Sequence, residues 1–328
     1  MLHFKTAVKG LIGVDIGSTA VRLVELRCMG GEPRVSGHGV VPLRAGAVIE
    51  HRIQDDDAVV DALSRALADI SPLGKRACAA VPAEAAIVKT LSLPASLGED
   101  DIESRLQLES DKHIPFPFGE VAFDFQPLGR LDDDADLQSV LLVACRRLAV
   151  EQRAELLTRA GLMPVAVDVD TFAVERAMTA LGAGFAPPAD DTEGMALVDV
   201  GADGSAFYIL HRGRVVYRHD MALDGRELIE ERRIPEDFVA SLARQVGRAL
   251  QLYYTAGRCC VVRRLSLVGR AGMLPGVAEC LAEESGMQVT VLNPLDGVRP
   301  HPRVDDRSLA RDAPELLIAR GLAMRGRA

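Results

Sequence analysis

One sequence pattern occurs twice in the chain, at widely separated positions. The first copy, Leu11–Leu26, is LIGVDIGSTAVRLVEL, and the second, Ala196–Leu210, is ALVDVGADGSAFYIL. In each, an apolar run with an aspartate near its end is followed by a glycine-containing turn and a second apolar run, which predicts a β-hairpin. Asp199 follows Asp15 by 184 residues. The repeat predicts a duplicated α/β lobe whose two hairpins face each other across a cleft.

The first turn carries groups that suit a phosphate and its magnesium ion. Gly17 allows close approach to the backbone, Ser18 and Thr19 supply hydroxyl and N–H donors, and Asp15 places a carboxylate beside them. Many hairpins also turn on Gly-Ser without any ligand, so the turn alone leaves both interpretations open.

Length and composition limit the class of protein. The 328 residues predict two domains or a two-lobed molecule, and 48% hydrophobic with 26% charged residues is typical of a soluble globular protein. A net charge of −9 without a basic cluster predicts no nucleic-acid partner.

The six cysteines include no C-x-x-C pair, so we expect neither a zinc site nor a disulfide framework. Without a secretion signal or a membrane-spanning apolar run, we expect a cytoplasmic protein that reaches membranes only through a partner.

A self-contained package is predicted between the two hairpins. A charged helix, Glu99–Lys112, with an apolar stripe of Ile102, Leu106 and Leu108, precedes two strands and a second helix ending near Ala160. This helix-strand-strand-helix order predicts an inserted subdomain. Its aromatic residues offer either a docking surface or filling for a small core: Phe116, Phe118, Phe123 and Phe125.

Further along the chain, we predict a linker at residues 182–188 that is rich in glycine and proline. A long helix over Phe238–Ala256, a strand over Leu265–Val268 and a last helix over about Ala313–Met324 follow it.

Several phrases of the sequence resemble the PilM proteins of type IV pilus assembly, which are relatives of the division protein FtsA. These phrases run through nearly the whole chain: GVDIGSTAVRLVEL, LESDKHIPFPFGEVAFDFQPLG, LVDVGADGSAFYIL, LVGRAGMLPGVAECLAEESGMQVTVLNPL and APELLIARGLAMR. The resemblance implies an α/β, actin-like, two-lobed ATPase fold with duplicated ribonuclease-H-like lobes and an inserted subdomain of the kind found in FtsA and PilM.

The resemblance also implies a division of the chain. The first lobe is expected to contain residues 1–87, 162–190 and 305–328, the inserted subdomain residues 88–161, and the second lobe residues 191–304. The outer part of the second lobe is expected to be shortened around 224–237, where only RELIEERRIPED separates the strand from the following helix.

The same resemblance implies roles for individual residues. Asp15 and Asp199 would organise a magnesium ion, largely through water, and Gly269 would lie under the nucleoside of a bound ATP. Glu175 would lie where the lobes connect. The phosphates would be cradled from both sides by the residues of the two turns: Gly17, Ser18, Thr19, Gly201 and Ser205.

Some residues depart from the family pattern. Arg22 stands where the family usually has lysine, Gly204 and Ser205 stand where threonines are typical, and Arg270 replaces the second glycine after the strand. A broad guanidinium cannot reach a phosphate in the way a lysine does, and a bulky side chain at 270 occupies space near the nucleoside. Because of these departures, two interpretations stay open: a scaffold that binds ATP and a scaffold that binds no nucleotide.

The implied function is a cytoplasmic scaffold of type IV pilus assembly that binds the N-terminal tail of a PilN-like inner-membrane protein, with ATP and Mg. Its four phenylalanines would line the partner groove. Components of the pilus motor and alignment complex, and a homo-oligomer or ring, are further expected partners. Two alternatives remain open: a pseudo-ATPase scaffold of a pilus or type II secretion system, resembling a GspL protein, and a small-molecule kinase of the same superfold.

Overall fold

The computed structural model describes residues 10–182, 192–201, 204–223, 236–257 and 260–325. The described strands are β1 (Leu11–Ile16), β2 (Ala20–Met29), β3 (Glu32–Pro42), β4 (Val48–Ile49), β5 (Arg52–Ile53), β6 (Arg76–Val81), β7 (Ala86–Pro94), β8 (Val121–Arg130), β9 (Leu137–Arg146), β10 (Met163–Val169), β11 (Glu193–Val200), β12 (Ser205–His211), β13 (Arg214–Met221), β14 (Val261–Val268), β15 (Gln288–Val291) and β16 (Arg299–Pro300). The described helices are α1 (Asp56–Ile70), α2 (Glu99–Leu108), α3 (Ser110–His113), α4 (Arg147–Arg159), α5 (Asp170–Ala180), α6 (Glu236–Thr255), α7 (Val277–Ser285), α8 (Asp306–Asp312) and α9 (Leu317–Ala323).

Two sheets have the same strand plan. The first has the order β10-β6-β1-β2-β3-β16 and the second the order β13-β12-β11-β14-β15. In each, three antiparallel strands lead into parallel neighbours: β1 is parallel to β6, and β11 is parallel to β14. Strands buried on both faces need continuous apolar runs, which both hairpins provide. The duplicated α/β lobe predicted from the repeat is therefore present.

The inserted package forms its own three-stranded antiparallel sheet, in the order β7-β9-β8. Helix α4, which we expected to belong to it, also packs beneath the first sheet, because Leu156 and Leu157 are fully buried in the core formed by α1 and the first hairpin. It is the last element of the connection from β6 to the parallel strand β10, which also contains the insert.

Two helix predictions need correction. The charged helix ends at Leu108, and a separate turn of helix, α3, follows it. Leu108 is 86% exposed and does not belong to the buried stripe, because it lies two residues after Leu106 and so on the opposite side of the helix. The last helix is likewise divided into a 3-10 turn, Ala313–Glu315, and the helix α9.

Some predictions cannot be compared with the structure. Most of the linker and nearly all of the segment around 224–237 lie outside the described residues. The domain division stays a prediction, although the pairing of β16 with β3 brings the chain back to the first sheet before residue 305. Among the described helices, none is both long and apolar enough to cross a membrane.

Candidate nucleotide cleft

The two hairpins have the same turn. The N–H of Gly17 donates to the carbonyl of Ala20 at 3.0 Å, and the N–H of Gly201 donates to the carbonyl of Gly204 at 3.1 Å. In both hairpins four residues connect the last paired positions of the two strands. The repeat in the sequence is therefore a repeat of strand register and of the hydrogen bond that closes each hairpin.

The residue opposite each aspartate differs between the hairpins. Asp15 pairs across the strands with Arg22, whereas Asp199 pairs with Ala206. The Arg22 Nη1 atom lies 3.7 Å from the Asp15 Oδ2 atom. The first aspartate therefore has a cation beside it on its own hairpin, and the second has none at the corresponding position.

Both aspartates have raised pKa values, mainly because burial disfavours their charged forms. Burial raises the pKa of Asp199 to about 6; Arg22 opposes this rise, and Asp15 and Glu315 add to it. Burial also raises the pKa of Asp15, with Arg22 opposing most strongly. The charge of Asp15 thus adds to the effect of burial on Asp199, and a bound cation would stabilise the charged forms of both aspartates.

A carboxylate connects the two lobes beside these aspartates. Arg22 donates to Glu315 Oε2 from Nε at 3.3 Å and from Nη2 at 3.1 Å. Arg270 of the second lobe pairs with the other oxygen, Oε1. Glu315 is only 14% exposed, so this pair of contacts is shielded from solvent.

Gly269 packs its backbone against the second hairpin. Its φ is +86°, and a Cβ atom there would lie 2.5 Å from the Val200 carbonyl oxygen and 2.6 Å from Asp199 Oδ1. Its N–H donates to the Pro314 carbonyl at 3.2 Å, which joins it to the segment that carries Glu315. Only glycine satisfies both the positive φ and the close approach.

The predicted hydroxyl groups lie in different surroundings. Ser18 is exposed and Thr19 is half-buried at the tip of the first turn. Ser205 is buried, and its Oγ donates to the Leu223 carbonyl at 2.8 Å. The counterparts of Ser18 and Thr19 in the second turn, residues 202 and 203, lie outside the described part of the chain.

Comparison with known proteins identifies the family. The sequence model described as Type IV pilus assembly protein PilM matches residues 13–234 and 230–327. The chain belongs to the PilM family.

One solved structure shares the fold of this PilM family member, and others resemble it more weakly. A structure titled "PilM-PilN type IV pilus biogenesis complex" has a TM-score of 0.71 at 24% identity, over 98% of this chain and 99% of that one. The protein EutJ of Carboxydothermus hydrogenoformans has a TM-score of 0.49 at 15% identity, over 99% and 92% of the two chains. The cytoplasmic domain of EpsL of Vibrio cholerae has a TM-score of 0.42 at 14% identity, over 92% of each chain. The actin-like fold expected from the sequence is confirmed.

In this PilM family member, sequence reasoning missed a buried carboxylate, Asp170, which begins α5 at the end of β10. Burial raises its pKa to about 7; hydrogen bonding to the Thr171 backbone opposes this rise, and the charge of Asp15 adds to it. The N–H of Ala83 also donates to it at 3.0 Å. The sequence does show an acidic residue directly after the apolar run that forms β10. In the structure, β10 lies beside β6, and β6 lies beside β1.

Two further contacts join the lobes. Glu175, expected at their junction, accepts from the Val215 N–H at 2.8 Å and from Arg214 Nη1 at 3.1 Å. At the surface, one ligand atom each of His51, Glu84 and Asp220 lies within 4.8 Å of the others. Residue spacing could not reveal this second group, because it comes from three distant segments. Arg218 lies among these side chains and pairs with both carboxylates.

The four phenylalanines of the insert are all half-buried. Phe118 and Phe123 have ring centroids 5.3 Å apart, and Arg146 lies 4.2 Å over the ring of Phe116. Phe123 and Phe125 also pack against the small core of the insert, formed by α2 and its sheet. These rings therefore fill the subdomain's core and leave part of their surface accessible.

The residues of the cleft fit a magnesium nucleotide chemically. Carboxylate oxygens are the ligands that Mg²⁺ prefers, and two partly buried carboxylates with raised pKa values would both be stabilised by it. Guanidinium groups such as those of Arg22 and Arg270 suit phosphate oxygens. Both arginines, however, already bind Glu315.

Proposed function

We propose that the protein is an actin-like scaffold of type IV pilus assembly that binds the N-terminal tail of a PilN-like inner-membrane protein. The family match over the whole chain carries this proposal, and a related structure is titled as a PilM-PilN complex. Such a partner would hold the scaffold at the cytoplasmic face of the inner membrane, where the pilus motor and alignment complex could contact it.

The proposed partner groove includes the half-buried ring surface of Phe116, Phe118, Phe123 and Phe125. Aromatic side chains with accessible faces are frequent anchors in interfaces because they bury a large apolar area at little cost in entropy. Phe118, whose ring packs at a tilt against that of Phe123, is the ring we choose for substitution.

Fluorescence anisotropy with a labelled tail peptide tests the partner. We expect Phe118→Ala to weaken binding about tenfold or more, as loss of an interface anchor does. Leu148→Ala, on an α4 side chain that is 75% exposed, is the matched control and should leave the affinity unchanged. Absence of peptide binding by the wild-type protein, with and without nucleotide, would overturn the partner proposal.

We also propose that the cleft binds ATP with Mg. Asp15 and Asp199 would hold the metal, largely through water, and Gly269 would face the nucleoside. The turn residues would surround the phosphates: Gly17, Ser18, Thr19, Arg22, Gly201 and Ser205. The repeated hairpin with its terminal aspartate supports this proposal.

Thermal unfolding with and without Mg-ATP tests nucleotide binding. A ligand at 100 times its dissociation constant stabilises the native state by about 2.7 kcal/mol. The shift should depend on Mg²⁺ and should be lost when Asp15 and Asp199 are both changed to Asn. No shift at millimolar Mg-ATP would favour the nucleotide-independent scaffold, an alternative supported by the engagement of both arginines with Glu315.

A further inference from the structure

A side chain of the protein itself lies between the two arginines that would meet an incoming phosphate. We infer that the Glu315 carboxylate competes with phosphate for Arg22 and Arg270. A polyphosphate anion that enters the cleft must displace this carboxylate from both arginines. The inference rests on the proposed nucleotide function, because it assigns a regulator to that same site.

The geometry of Glu315 is that of a shared ligand. One carboxylate oxygen, Oε2, accepts from Nε and Nη2 of Arg22, and the other, Oε1, pairs with Arg270. Carboxylate and phosphate oxygens use the same guanidinium donors. An anion with several phosphate oxygens could therefore replace both contacts of Glu315 at once.

The position of Glu315 makes this contact a bridge between lobes. The segment around it packs under the first sheet, where Ala313 and Leu316 are buried against Val24 and Leu26. Arg22 is on the same lobe, whereas Arg270 follows β14 of the second lobe. If an external anion took the place of the Glu315 carboxylate between the arginines, the two lobes would be bridged by the ligand and no longer by a side chain of the protein.

The chain can release the carboxylate without unfolding the segment. Glu315 is the last residue of a 3-10 turn whose backbone is fixed by the contact between the Pro314 carbonyl and the Gly269 N–H. Rotation of the side chain alone would withdraw the carboxylate from both arginines, and Arg22 would keep its contacts with Asp15 and the Ala20 carbonyl. The Arg270 side chain is 34% exposed, so solvent reaches part of it while Glu315 is in place.

Competition of this kind lowers the apparent affinity for the anion. If the arginines are free of Glu315 about one-tenth of the time, the apparent dissociation constant is about ten times the intrinsic one. Removal of the Glu315 charge should therefore tighten anion binding, which is the opposite of what loss of an ordinary structural contact would do.

Isothermal titration of the full-length protein with inorganic tripolyphosphate, and separately with Mg-ADP, tests the inference. We expect Glu315→Gln to bind tripolyphosphate about tenfold more tightly than the wild type. Glu175→Gln is the matched control, because it also removes the charge of a glutamate that joins the lobes through an arginine, Arg214. The control should bind both anions as the wild type does.

The outcomes separate the inference from the proposed function. Tighter tripolyphosphate binding by Glu315→Gln, with no Mg-ADP binding by any variant, would uphold the internal competitor and reject the nucleotide function. Mg-ADP binding that is equal in the wild type and Glu315→Gln would reject the competitor and leave the nucleotide function standing. An equal gain in Glu175→Gln, or no tripolyphosphate binding by any variant, would also reject the competitor.

A second variant covers the case in which Glu315→Gln does not fold. Glu315→Asp keeps the charge but shortens the side chain by one methylene, so it cannot span both arginines as well. We expect its tripolyphosphate affinity to lie between those of the wild type and Glu315→Gln. An affinity equal to that of the wild type would count against the inference.

Discussion

The two hairpins share one backbone turn but are held in place by different interactions. Beside its aspartate the first is supported by charge, since Arg22 lies beside Asp15 and binds Glu315, although further along β1 the backbone of Gly13 also packs closely against Ala319. The second is supported by close backbone packing against Gly269 and by the buried hydrogen bond of Ser205. Duplication has therefore preserved the turn that presents each aspartate, while the surrounding support has diverged.

This difference decides from where a positive charge acts on each aspartate. Arg22 counteracts the effect of burial on Asp15 from the opposite position of its own hairpin. Asp199, opposite Ala206, has no such neighbour on its hairpin, and its pKa rises to about 6. Arg22 therefore acts on Asp15 from its own hairpin and on Asp199 from the other lobe.

The largest effect is expected from Gly269→Ala, which attacks the packing of the second hairpin. The new methyl group would clash with backbone atoms of Val200 and would also force an alanine into a positive φ, so we expect a loss of about 3 kcal/mol or more in the free energy of unfolding. Urea denaturation measures it. Gly286→Ala, with a φ of +66° in open space, isolates the conformational cost and should lose about 1 kcal/mol. Equal losses in both variants would mean that the close contact contributes nothing.

The next effect is expected from Arg22→Met, which removes the charge that supports the first hairpin. Breaking a partly buried ion pair should cost about 2 kcal/mol near neutral pH. Without Arg22 the folded-state pKa values of Asp15 and Asp199 would rise further. A carboxyl group whose pKa is higher in the folded than in the unfolded protein lowers the free energy of unfolding as pH increases, because the folded protein must give up a proton that it binds more tightly. Denaturation should therefore show a larger deficit at pH 8 than at pH 5. Arg65→Met, on the exposed pair with Asp61, is the control, and an identical pH dependence there would contradict this view.

The sequence was sufficient to predict the hairpins because their register follows from local patterns. Alternating and continuous apolar runs on either side of Gly17 and Gly201 fix which residues pair, and the repeat gave the duplicated lobe. The resemblance to a family then gave the actin-like fold, which periodicity alone could not.

The supports of the hairpins could not be predicted in the same way. Arg22 and Glu315 are 293 residues apart, and nothing local to either one indicates the other. Arg270 was interpreted as a bulky obstacle beside the nucleoside, whereas the structure gives it a carboxylate partner. Asp170 was missed because its burial depends on the packing of β10 against β6, a contact between distant segments.

A smaller effect of opposite sign is expected from Asp199→Asn. The folded-state pKa of about 6 lies above the ordinary 3.8, so this carboxyl contributes stability that is fully present below pH 3.8 and is lost as pH rises through 6. Without divalent cations, Asp199→Asn should be more stable than the wild type at pH 8, with an upper limit of about 3 kcal/mol set by the difference between the two pKa values, and equal to it at pH 3.8 or below. Asp15→Asn should gain less, because it deprives Arg22 of a neighbour. If Asp15→Asn raised the free energy of unfolding more than Asp199→Asn does, the proposed contrast between the hairpins would be wrong.

The smallest effect separates support from ligand binding at the hydroxyl groups. Ser205→Ala removes a buried hydrogen bond to the Leu223 carbonyl and should cost about 1 kcal/mol of unfolding free energy. Ser18→Ala, at an exposed turn, should change stability by less than about 0.5 kcal/mol. Because the Ser205 hydroxyl already donates to the Leu223 carbonyl, Ser205 would face the phosphates through its backbone, and titration with Mg-ADP should show weaker binding in Ser18→Ala and little change in Ser205→Ala. A larger loss of affinity in Ser205→Ala would make its hydroxyl a phosphate ligand, so that the second hairpin would contribute chemistry as well as shape.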